Sequence, residues 1–80
     1  MRLPRDISGA ELTKRLECLG YRVTRQTGSH LRLTCGVAPE HHVTVPAHEA
    51  LRVGTLAGIL QSVAARHGLS RDELVVRLFG

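Results

Sequence analysis

The chain predicts an α+β fold, a two-layer sandwich of the order α-β-β-β-α with a short extra helix at its C-terminus. Three observations carry this expectation. An apolar repeat at helical spacing opens the chain, three short runs that alternate apolar with polar residues follow, and two further helical repeats close it. Each strand then has one apolar face and each helix one apolar stripe. Helices therefore cover one side of an antiparallel sheet and leave the other side open.

The first helix has both ends written in. Ser8 and Glu11 have the spacing of a capping box, Ile7 and Leu12 that of a hydrophobic staple, and Leu12, Leu16 and Leu19 recur until Gly20 stops them. Tyr21 and Val23 then alternate with Arg22 and Thr24, Leu31, Leu33 and Cys35 with Arg32 and Thr34, and Val43 and Val45 with His42 and Thr44. A turn over Thr27, Gly28 and Ser29 makes the first two strands a hairpin. A looser connection from Gly36 to Glu40, containing Pro39, leads to the third, which Pro46 ends. After a loop through His48, Leu56, Ile59, Leu60, Val63 and Ala64 share one helical face up to Gly68. Leu69, Ser70, Glu73 and Leu74 repeat the staple and box, opening a terminal helix with Leu74, Val75 and Leu78 inward.

Eighty residues make a single domain, residues 1–80, and a domain of this size buries only about 60% of its unfolded surface, so every apolar stripe is needed. Tyr21 and Phe79 are the only aromatic residues of the Phe, Tyr and Trp class, so the core is aliphatic, and this argues against base stacking on a sheet of the RRM or OB type. Eleven cations, ten of them arginine, against seven carboxylates give a net charge of +4 and favour a polyanionic partner. Cys18 and Cys35 follow no C-x-x-C spacing and lie among apolar neighbours, which predicts two reduced core thiols. The absence of a long apolar run excludes a membrane span, and with no signal-peptide stretch the expected location is the cytoplasm.

Period two assigns His30, Arg32, Thr34, Thr24, Gln26, Arg22, His42 and Thr44 to the open face, and Arg25 to the side of Val23. Within that polar, cationic set, Gly28, Ser29 and His30 stand out. Gly28 adopts φ > 0 without steric cost, so the turn is tight and the imidazole of His30 stands on a strand start instead of a loose tip. An imidazole gives or takes a proton near neutrality, as phosphodiester cleavage requires, although a histidine beside a hairpin glycine is commonly a solvated turn residue.

The opening helix ending in Leu19, Gly20 and Tyr21, then Arg25, Gln26, Thr27, Gly28, Ser29 and His30, resembles the HicA toxins of bacterial HicA and HicB toxin–antitoxin pairs. So do Val43, Thr44, Val45 and Pro46 with His48 beyond them, then Gly54, Thr55 and Leu56, and finally Gly68, Leu69 and Ser70. The resemblance implies a double-stranded-RNA-binding-domain-like fold and metal-independent cleavage of mRNA with His30 as catalytic residue. It also implies a HicB-like antitoxin that covers the His30 face, and no small-molecule cofactor. Arg22, Arg25, Gln26 and Arg32, with the backbone of Gly28 and Ser29, are the candidates for holding RNA. Ala57 stands where many relatives carry a basic residue.

Two alternatives compete with this reading. His30, His41, His42 and His48 with Cys35 offer metal ligands, but no pair has a zinc spacing. His41 and His42 then read as solvated loop and strand-start residues, and His67 as a cation suited to a helix C-terminus. A non-catalytic RNA-binding module of the same fold grips an A-form duplex, but around Gly54 only Arg52 and the more distant Arg66 supply charge.

Overall fold

Ser8, in extended backbone, caps the first helix by accepting a hydrogen bond from the Glu11 amide at 3.0 Å. The computed structural model in which this is seen describes residues 3–36 and 40–80. Helix α1 spans Gly9–Leu16 and tightens into a 3₁₀ turn, Glu17–Leu19, that Gly20 closes at φ 91°. The Glu11 carboxylate does not complete the expected box; it reaches Arg15 one turn on, at 3.4 Å. Leu12 and Leu16 are fully buried. The tightened turn also corrects one expectation: Cys18 is exposed, its Sγ 2.9 Å from the Arg15 carbonyl oxygen, and only Cys35 is a core thiol.

Three antiparallel strands follow, β1 (Tyr21–Thr27), β2 (His30–Cys35) and β3 (His41–Pro46), in the order β1-β2-β3. Thr27 pairs with His30 across a two-residue loop in which Gly28 has φ 55° and Ser29 does not have positive φ, as a type II′ hairpin requires. The Ser29 carbonyl then accepts a bond from the Ala47 amide, 2.6 Å away, so the turn is braced from the end of β3. The β2–β3 register is regular, whereas β1 carries a bulge between Val23 and Arg25. The connection expected through Pro39 lies, at 37–39, outside the described residues.

Helix α2 (Val53–Arg66) buries Leu56, Ile59, Leu60, Val63 and Ala64, the five residues that share its apolar face. Helix α3 (Arg71–Phe79) opens with the complete capping box of Ser70 and Glu73 and turns Leu74, Val75 and Leu78 inward. These helices and α1 bury Leu33, Cys35, Val43, Val45 and Tyr21 on one face of the sheet. The architecture is therefore α-β-β-β-α-α in two layers, compatible with the double-stranded-RNA-binding-domain-like fold. Val23 departs from its expected burial and is 46% exposed, because β1 is an edge strand and only its first residue is covered.

The start of α1 is held against the end of β3. The Gly9 amide donates to the His48 carbonyl at 2.9 Å, and a Cβ built on Gly9 overlaps the Pro46 carbonyl oxygen. Gly9→Ala is therefore expected to destabilise the fold by about 1–3 kcal/mol, the cost of forcing extra volume into a packed site. Gly58 sits mid-helix with nothing within 4 Å of a built Cβ, so Gly58→Ala is expected to stabilise by roughly 0.5–1 kcal/mol. Chemical-denaturation midpoints of the two variants check both signs.

Candidate functional site

Residues directly opposite one another in a sheet share a face, so the register alone lays out the uncovered side. It forms three rungs across β1, β2 and β3. Thr27, His30 and Pro46 make the first, Arg25, Arg32 and Thr44 the second, and Arg22, Thr34 and His42 the third. Successive rungs lie roughly 6.8 Å apart, two residues along a strand. None of the three strands contains a carboxylate.

The bulge changes the expected membership of this face. Strict alternation sends Gln26 to the open side and Arg25 to the covered one, but the extra residue at Thr24 shifts the phase. Arg25 now pairs with Arg32 on the open face, and Gln26 pairs with Leu31 on the other. Gln26 remains exposed, beyond the edge of the helical cover. Thr24 still reaches the open side, its hydroxyl 2.7 Å from that of Thr34, which lies 2.8 Å from Nδ1 of His42. The structure thus brings His30, Arg22, Arg25 and Arg32 to one surface, with Gly28 and Ser29 in the turn beside them.

Arg25 and Arg32 are like charges placed opposite each other, an arrangement that destabilises a sheet unless an anion lies between them. His30 is exposed on the adjoining rung. This surface can bind a phosphate on the arginine rung and present an imidazole one rung away. The other two histidines of the strand and helix ends do something different. His41 Nδ1 lies 2.6 Å and His67 Nε2 3.2 Å from the Tyr21 hydroxyl, while His41 Nε2 lies 3.2 Å from the Ser62 hydroxyl. Among the described residues, no three His, Cys, Asp or Glu side chains are grouped to hold a metal ion.

The Tyr21 cluster corrects the reading of His41 and His67 as solvated or cationic. Burial, reinforced by the positive charge of Arg66, holds both imidazoles below their ordinary pKa, with His67 and His42 adding to the effect on His41 and Arg77 to that on His67. Burial pushes the Tyr21 phenol up to about 12, the nearby Cys35 adding and Arg66 opposing. The sequence held a signal for His41: it lies in phase with Val43 and Val45, which makes it an inward residue. A buried phenol also requires a hydrogen-bond partner.

Comparison with known families gives one finding. The model of the HicA toxins of bacterial toxin–antitoxin systems matches residues 9–64, which include α1, all three strands and most of α2. No curated protein and no solved structure matches the chain.

The Tyr21 cluster generates a pH dependence of stability. In the unfolded chain both imidazoles take up protons around pH 6.5, whereas in the fold they do so only at lower pH, so stability is complete above that value and declines as pH falls through it. On the alkaline side the unfolded phenol ionises near pH 10 and the folded one near 12, so stability declines again across that interval. Thermal melts are expected to peak between about pH 7 and 9.5. The double variant His41→Asn with His67→Asn should flatten the decline between pH 7 and 5; an unchanged slope would remove these rings as its cause.

Proposed function

The chain belongs to the HicA toxin family, the toxin component of bacterial toxin–antitoxin pairs, and we propose that it is an endoribonuclease that cleaves mRNA without a metal ion, using His30. The observation that carries this reading is the placement of His30 on the open face, one rung from the Arg25–Arg32 pair. In an in-line transesterification the ribose 2′-oxygen attacks the adjacent phosphorus and the bond to the 5′-oxygen breaks. His30 takes the 2′-hydroxyl proton as general base or supplies one to the departing 5′-oxygen as general acid, a contribution of about 10²- to 10⁴-fold. Arg25 and Arg32 stabilise the charge that builds on the phosphoryl oxygens, and Arg22 holds the strand beyond them. Amides of Gly28 and Ser29 in the braced turn are further donors toward phosphate.

Single-stranded or locally unpaired RNA is the substrate this surface fits, because the start of α2 lacks the basic cluster that a duplex grip needs. Near it Arg52 is the N-cap, while Arg66 lies at the far end of the helix. The partner is a HicB-like antitoxin that covers the His30 face and competes with RNA for it. No helix among the described residues is long and apolar enough to cross a membrane, and action on mRNA places the protein in the cytoplasm.

Cleavage of a mixed-sequence RNA in the presence of a chelator, compared between the native chain and His30→Ala, tests the assignment. The native chain is expected to cleave, and the variant to lose at least about a hundredfold in rate while its melting temperature is retained, since an exposed ring contributes little to the core. Equal cleavage by the two proteins would end the catalytic role of His30. Activity lost on chelation would show a metal requirement, and tight RNA binding without cleavage would favour a purely binding module.

A further inference from the structure

His42 stands on the open face with its Nδ1 hydrogen-bonded and a carboxylate near its Nε2. Nδ1 lies 2.8 Å from the Thr34 hydroxyl, itself fixed by Thr24 at 2.7 Å, and Nε2 lies 3.6 Å from the Glu40 carboxylate. Nδ1 is therefore occupied in orienting the ring, and the side chain is still 40% exposed. What it offers a ligand is its face. Tyr21 is fully buried, Phe79 lies on α3, and the three-rung face carries no aromatic ring other than His30 and His42.

From this we propose that His42 is a stacking platform for an unpaired RNA base, the second nucleotide from the phosphate that His30 cleaves. The proposal rests on the ribonuclease reading and extends it to substrate positioning. His42 sits two rungs from His30, roughly 13 Å along the strand direction, a distance that an extended RNA strand crosses in two nucleotides. The intervening rung holds Arg25 and Arg32, the pair that takes the phosphoryl oxygens of the cleaved bond, and Arg22 shares the rung of His42, beside the next phosphate. Unpaired bases are held by stacking on aromatic rings, histidine included, and the sequence-tolerant part of single-strand binding is of this kind. Thr34 acts here as the group that orients the ring, through its 2.8 Å contact with Nδ1. His42 is thus a positioning residue, not a catalytic one.

The experiment measures kcat/KM for the native chain, His42→Ala and His42→Phe on one RNA oligonucleotide whose cleaved bond has been mapped. The same oligonucleotide is then used with an abasic nucleotide at the second position on either side of that bond. His42→Ala is expected to lose roughly 5- to 10-fold, the scale of one base-stacking contact, and His42→Phe to recover most of it. At one of the two positions the abasic substitution should cost the native chain the same factor and His42→Ala nothing further. His42→Phe as poor as His42→Ala overturns the platform, since the nitrogens would then matter more than the face. So does an abasic penalty that is equal in the native chain and His42→Ala.

Binding separates this proposal from the one beneath it. Fluorescence anisotropy with His30→Ala and with His30→Ala, His42→Ala together reads the stacking contact without any cleavage. If no protein cleaves RNA but the second substitution still weakens binding by that factor and only when the base is present, the nuclease reading falls and the platform stands. If cleavage depends on His30 and neither measurement depends on the ring at position 42, the platform falls alone.

Discussion

The open face of this protein is dictated by what lies on the opposite one. Leu33 and Cys35 of β2 and Val43 and Val45 of β3 are between 0 and 6% exposed, locked beneath the helices. Because strand side chains alternate, every second residue of these strands is forced out, and the ones forced out are His30, Arg32 and Thr34 on β2 with His42 and Thr44 on β3. A slip of one residue would drive an arginine and an imidazole under the helices and four apolar side chains into water. The aliphatic core thus sets the register, and the register presents the imidazole.

The bulge at Thr24 is the one break in that regularity, and it falls beside the arginines. It brings Arg25 level with Arg32 and moves Gln26 away. A bulge gives up ladder hydrogen bonds, and a like-charge pair across two strands is unfavourable. Two local costs thus meet at one rung, and an anion bound between the arginines would relieve the second, in keeping with the proposed function. The brace from Ala47 to Ser29 has the complementary effect. It ties the hairpin turn to the end of β3, so His30 is held from both neighbouring strands.

Much of this was legible in the amino acids because the core pattern is strong. The five apolar residues of α2, the three of α3 and the inward residues of β2 and β3 all follow from periodicity, and both capping serines from the residue types that hold helix starts. Where the reading failed, the deciding interaction was tertiary. β1 contains no glycine to mark a bulge, and the one trace in the run from Tyr21 to Thr27 is that the apolar alternation stops after Val23, with charged Arg25 at the next inward position. Cys18 is instead a local miss: it lies off the stripe of Leu12, Leu16 and Leu19, and its exposed thiol stands beside the Arg15 carbonyl oxygen. The pairing of His67 with Tyr21 joins residues 46 apart, beyond the reach of any local pattern.

His41 and His42 show how far a single step along a strand separates two roles for the same side chain. His41 is in phase with Val43 and Val45, so it turns inward, meets the Tyr21 hydroxyl and is kept neutral by burial and by Arg66. His42 is out of phase, so it turns to the open side, where Thr34 holds its Nδ1 and Glu40 lies 3.6 Å from its Nε2. The same division separates His67, which closes the Tyr21 cluster, from His30, which faces solvent beside the arginines. A chain with one tyrosine, one phenylalanine and no tryptophan has few rings to distribute. It commits the tyrosine to a buried polar network that two imidazoles satisfy, and this leaves imidazoles as the only aromatic rings on its three-rung cationic face. On the proposed function, proton transfer and stacking, the two services an RNA-cleaving surface asks of an aromatic ring, then fall to one residue type, divided between His30 and His42 by their place in the register.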